Sequence, residues 1–158
     1  MHPLTELDYY FPTFEDNVLY ALTRVPYQDD ISHPIESILR SHCSIIGETN
    51  TLFFVKKMLF SIDRKLKSSE CIDLLKIVIR LPFCSGKLQH SVVYKEVQRQ
   101  KTEIVVNSLR SDCIEMRTAG IEAVLCWKDE FLIEILKDHS EPVTHLSNYK
   151  NAVIDELT

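Results

Sequence analysis

The chain has 158 residues, 45% hydrophobic and 26% charged, enough for one compact domain with its own core. Only 3 Gly and 6 Pro are present, too few turn residues for a typical β protein, and no apolar stretch approaches the roughly 20 residues of a membrane span. The net charge of −5 hides an asymmetry: residues 1–55 hold 8 acids and 2 bases, residues 56–110 hold 12 bases and 5 acids, and residues 112–158 hold 10 acids and 4 bases.

In chain order, residues 1–14 read as an irregular arm, because Pro3 and Pro12 interrupt it and Tyr9, Tyr10, Phe11 and Phe14 cluster without a clear period. A short helix is expected from Glu15 to Arg24, ended by Pro26. Ser32-His33-Pro34 looks like a helix start capped by Ser32, with Ile35, Ile38, Leu39 and His42 forming a stripe and Gly47 closing that helix or the loop after it. Asn50 to Lys67 is the longest expected helix, with Leu52, Val55, Leu59 and Ile62 on one face. Ser68-Ser69 separates it from Glu70–Leu81, whose buried stripe is Cys71, Leu74, Leu75, Val78 and Leu81, and Pro82 stops that helix.

Phe83 to Lys87, with Ser85-Gly86, reads as a loop. Residues 88–110 read as helical with a break near Arg99 to Lys101. Ser111 or Asp112 caps the next helix, Cys113 to Cys126, and Glu115 is placed for a capping box. Residues 129–138 form a further helix, Ser140-Glu141-Pro142 a break, and Thr144–Leu157 a last amphipathic helix. With no strand alternation and no βαβ rhythm, the fold class expected is all-α: antiparallel helix pairs stacked as a short α-solenoid, one domain over 15–158.

Chemistry finds little support. Cys43, Cys71, Cys84, Cys113 and Cys126 are odd in number and form no C-x-x-C pair, so a disulfide framework is not expected. No leader pattern opens the chain, and a reducing, cytoplasmic location follows. Cys84 lies six residues before His90, yet nothing marks an oriented base or an oxyanion hole beside it. His42-Cys43, with Cys71 and His90, lacks the close ligand pairs of a structural zinc site. The glycines Gly47, Gly86 and Gly120 form no phosphate-binding loop. Glu115, Glu122, Asp129, Glu130 and Glu134 read as a solvated face. No catalytic residue, metal or cofactor is assigned, and Trp127 reads as an anchor between helices.

The remaining candidates are basic: Lys56, Lys57, Arg64, Lys65, Lys67, Arg99, Lys101 and Arg110, with Lys95 beside them. Arg64, Lys67, Arg99 and Lys101 are expected to line one ridge. An RNA backbone, an acidic protein or plain solvation all suit such a set, and aromatic residues interleave poorly with it, so base stacking is not expected.

The segment Lys101 to His139 carries a resemblance. Asn107-Ser-Leu-Arg, an Asp-containing turn, Ile114-Glu-Met-Arg117 and then Ala119, Ile121, Ala123, Val124 and Leu125 resemble the second half of a HEAT repeat. In that pattern Met116 packs inward, Arg117 reaches acidic or carbonyl groups of the neighbouring repeat, and Ala119 and Ala123 let helices approach closely. Asp112 stands five residues before Arg117, where the usual spacing is four or six. Val106–Leu125 followed by Phe131–Pro142 is similar to the C-terminal part of the thyroid adenoma-associated protein family, long HEAT/ARM-like repeat proteins. The likeness covers about a quarter of the chain and implies a fragment of a longer protein. It implies a non-catalytic, regulatory partner of a tRNA 2′-O-ribose methyltransferase, with a protein partner and tRNA as binding targets. The alternative is an independent helical adaptor unrelated to tRNA. Both readings leave out enzyme activity, a small-molecule substrate and a membrane.

Overall fold

The computed structural model describes residues 6–83 and 92–158. Among them the secondary structure is seven α-helices and no strand: α1 (Glu6–Arg24), α2 (Pro34–Phe60), α3 (Ser68–Val78), α4 (Val92–Leu109), α5 (Ile114–Trp127), α6 (Glu130–Asp138) and α7 (Thr144–Leu157). The chain divides into two compact units, Met1–Ile77 and Val78–Thr158. The loop expected at Ser85-Gly86, and Cys84 and His90, lie outside the described residues.

In the first unit α1 packs on α2. The irregular arm expected over 1–14 is helical from Glu6 onward, through Pro12. A proline inside a helix costs about 3 kcal/mol or more, whereas burying a large apolar side chain is worth about 1.5–3 kcal/mol. Phe14 and Val18 are fully buried, and Phe11 meets Phe54 with ring centroids 5.0 Å apart. These contacts outweigh the proline. Tyr10, Phe14, Val18 and Ala21 follow a spacing of one helical face, a period that the proline obscured in the sequence.

The start of α2 is capped by His33 and not by Ser32. The His33 Nδ1 accepts from the Ile35 amide at 3.2 Å, the Glu36 carboxylate accepts from the His33 amide at 2.9 Å, and His33 Nε2 donates to the Val25 carbonyl at 2.9 Å. Gly47 leaves helical geometry, with φ 86° and ψ 162°, so α2 consists of two helical stretches that meet at a kink there. Those angles suit glycine almost alone. Asn50 and Thr51 side chains donate to the Ile46 and Gly47 carbonyls, each at 2.8 Å, and so occupy acceptors at the kink.

The helix then stops at Phe60, short of the expected Lys67. Ile62, expected on the apolar face, is fully exposed, while Leu66 turns inward and is 4% exposed. Glu70 accepts from the Lys67 amide at 2.8 Å and so starts α3. In α3 the expected Cys71, Leu74, Leu75 and Val78 are buried, as is Ile77, so one broad face of the helix is covered.

In the second unit α4 packs on α5 and α6, α5 on α6 and α7, and α6 on α7. The break expected near Arg99 to Lys101 is absent; α4 is continuous. The crossing of α4 and α5 is close. A Cβ on Gly120 would lie 3.0 Å from the Ser108 Cβ and 3.3 Å from Leu109 Cδ2. Met116, Arg117, Ala119 and Ala123 are all buried on this side of α5. Neither Ser111 nor Asp112 is the cap of α5: Cys113 occupies that position without a side-chain cap bond.

Candidate functional site

The ends of α4 and α6 lie beside one another in the second unit and enclose a cleft with a volume of ≈ 350 Å³. Its apolar lining is Val106, Leu109 and Ile135, and its polar lining is Arg110, Asp138, His139 and Ser140. Arg110 follows the last turn of α4, where a cation complements the helix dipole. Asp138 is the last residue of α6, where a carboxylate opposes that dipole by about 0.3–1 kcal/mol. Both side chains are exposed, and among the described residues neither has an ion-pair partner. The cleft therefore sets an open guanidinium and an open carboxylate around an apolar floor.

The rims of this cleft are held from beneath. Arg117 of α5 donates from Nη1 to the Ser111 carbonyl at 3.0 Å, next to Arg110. The same guanidinium donates from Nε to Glu141 Oε1 at 2.9 Å and from Nη2 to Oε2 at 3.3 Å. Glu141 also accepts from the Val143 amide at 3.0 Å, and its Oε1 lies 3.1 Å from His139 Nε2. Lys150 of α7 donates to the His139 carbonyl. One buried pair thus ties the turn after Arg110 to the segment holding His139 and Ser140. Burial works against the Glu141 charge, but hydrogen bonds from Arg117, Val143 and His139, with the Arg117 charge, win and hold its carboxyl at about 2.

The expected basic residues belong to both units. Lys56, Lys57, Arg64, Lys65 and Lys67 belong to the first unit, and Arg99, Lys101 and Arg110 to the second. Arg64, Lys67 and Arg99 are exposed, and Lys65 pairs with Glu15 at 3.2 Å. Lys56 lies 5.0 Å over the Phe53 ring and Lys57 4.3 Å over Phe11, so basic and aromatic side chains do meet in space here, although they do not alternate in sequence.

Lys101 overturns its expected place on an exposed ridge. Its side chain is 2% exposed, with Nζ 2.9 Å from Asp129 Oδ2 and 5.3 Å from the Trp127 ring centroid. Asp129, read as part of a solvated face, is 8% exposed in the same pair. Trp127 donates from Nε1 to the Leu81 carbonyl at 3.0 Å and meets Phe83 edge-on, an anchoring role within this unit.

The cysteines do not converge on a reactive centre among the described residues. Cys71 is buried, Cys43 and Cys113 half-buried and Cys126 exposed. Burial pushes the Cys43 and Cys71 thiols up, away from the reactive thiolate. His42 is occupied: Nδ1 meets Tyr10 Oη at 2.7 Å and Nε2 meets Asn17 Nδ2 at 3.5 Å, and burial lowers its pKa. No group of three His, Cys, Asp or Glu among the described residues is placed to hold a metal ion. No helix among them is long and apolar enough to cross a membrane.

Of the eight basic candidates, Arg110 lines this cleft. Asp138, His139 and Glu141 were not singled out in the sequence. The available signal was an acid at the wrong end of a helix, at Asp138, and a carboxylate beside a proline in the break at Glu141-Pro142. Comparison with protein-family models, with curated proteins and with solved structures gives no match to this chain.

Proposed function

We propose that the chain is a non-catalytic helical scaffold that acts by binding a protein partner, its helix pairs forming part of a short HEAT/ARM-like α-solenoid. Following the resemblance carried by Val106–Leu125 and Phe131–Pro142, the proposed setting is cytoplasmic support of tRNA 2′-O-ribose methylation by a partner methyltransferase. The observation that carries the binding reading is the cleft beside Arg110 and Asp138. It offers an apolar floor with two open charges.

The test of the setting is co-purification of the full chain with a tRNA ribose methyltransferase from cytosol, followed by assay of that enzyme on tRNA. The proposal expects recovery and stimulation of the enzyme, both reduced by charge reversal at the exposed Arg64, Lys67 and Arg99. A methyltransferase that neither co-purifies nor gains activity contradicts the tRNA setting. The second reading, an independent helical adaptor, is favoured by one observation: Asp138 shares the cleft with Arg110, and a carboxylate there suits a protein segment better than a phosphate chain.

A further inference from the structure

We infer that the cleft between the ends of α4 and α6 takes a partner-protein segment that seats one apolar side chain between an acidic residue and a basic one. The acid faces Arg110 and the base faces Asp138. This deepens the binding-scaffold reading and rests on it.

Charge complementarity selects the occupant. Arg110 and Asp138 are exposed, lack ion-pair partners among the described residues, and line the same cavity. An anion alone would leave Asp138 unanswered, and a cation alone would leave Arg110 so. Asp138 also sits where the α6 dipole is negative, so a ligand cation relieves a repulsion already present in the free protein. Between the charges Val106, Leu109 and Ile135 offer an apolar floor. A volume of ≈ 350 Å³ lies at the lower end of the range for ligand pockets, roughly 300–1,000 Å³, and leaves room for an apolar side chain together with the flanking residues that reach the two charges.

The cleft is also set in advance. Arg117 binds the Ser111 carbonyl on one rim and Glu141 on the other, and His139 is held by Glu141 and Lys150. Binding then orders the peptide but little of the protein, which favours affinity from a small contact. Arg117 and Glu141 act here as positioning residues and do not themselves line the cavity.

The experiment selects phage-displayed random peptides on the full chain. It then measures the enriched peptides, and L-leucine as a free amino-acid probe, against wild type, Arg110→Glu, Asp138→Lys and the swap Arg110→Asp/Asp138→Arg. Both positions are exposed, and thermal melts establish that each variant folds. The inference expects an acid–apolar–base consensus, weakened about three- to fivefold by either single variant, as exposed ion pairs allow. It also expects the swapped protein to prefer the charge-swapped peptide. Peptides that bind all variants equally overturn the cleft while leaving a binding scaffold in place. Absence of any consensus, or L-leucine competing as well as the peptides, overturns the segment inference and leaves the scaffold reading to its own co-purification test.

Discussion

Arg117 and Glu141 are 24 residues apart in the chain and meet through two hydrogen bonds of 2.9 and 3.3 Å, with the Glu141 side chain wholly removed from solvent. A buried pair of this kind is weak evidence of net stabilisation, yet removing one partner strands the other charge. Arg117→Ala and Glu141→Gln are each expected to lower stability by about 3 kcal/mol in chemical denaturation. The double replacement Arg117→Met/Glu141→Leu is expected to fall well short of the sum of the singles. Additive losses would mean the pair is not coupled.

The same carboxyl sets an acid limb. Glu141 has its folded pKa lowered to about 2 from 4.5, so the folded state holds the charge longer than the unfolded chain. Its contribution is fully present above about pH 4.5 and is lost as pH falls towards 2. Stability measured against pH is expected to drop through that window in wild type and to be flatter in Glu141→Gln.

A second pH effect belongs to the first unit. Burial lowers the His42 pKa below 6.5, so the unfolded chain binds that proton more readily than the folded one. Stability is then full above pH 6.5 and declines as pH falls below it. The groups facing the ring are Tyr10, Asn17 and Phe14 from α1. His42→Gln is expected to remove this limb while leaving the more acidic Glu141 limb intact.

Much of the helical layout was legible because it is local. The spacing of Cys71, Leu74, Leu75 and Val78 announced α3, and the ends of α6 and α7 follow from periodicity and from Pro142. Pro12 misled because a breaker reports backbone cost alone. The aromatic contacts of Tyr10, Phe11 and Phe14 with α2 outweigh that cost, whereas Gly47 does interrupt the helical geometry where the sequence places it. Lys101 was read as surface because nothing in its neighbours announces Asp129, 28 residues on, as its partner. The cleft was hidden for the same reason: its two rims come from α4 and α6, which only packing brings together.

Lys101 provides a test that separates packing from binding. Lys101→Met leaves Asp129 buried without its cation, and a loss of about 3 kcal/mol is expected, with a change in Trp127 fluorescence. Arg99→Glu, on an exposed position, is expected to stay within about 0.5 kcal/mol of wild type. Equal stability of the two variants would place Lys101 on the surface after all.

Gly120 tests the close crossing of α4 and α5. Gly120→Ala gains helix propensity of about 1 kcal/mol but puts a methyl group 3.0 Å from the Ser108 Cβ. Overpacking of about 1–3 kcal/mol is expected to win, giving a net loss that grows in Gly120→Val. A more stable Gly120→Ala would show that the two helices separate freely.

The central claim is that this chain binds through the ends of α4 and α6. Hydrogen–deuterium exchange of the full chain, with and without the best peptide from the display selection at saturation, tests it most directly. New protection confined to residues 106–111 and 135–141 is the predicted result. Protection elsewhere, with those two segments unchanged, would contradict it.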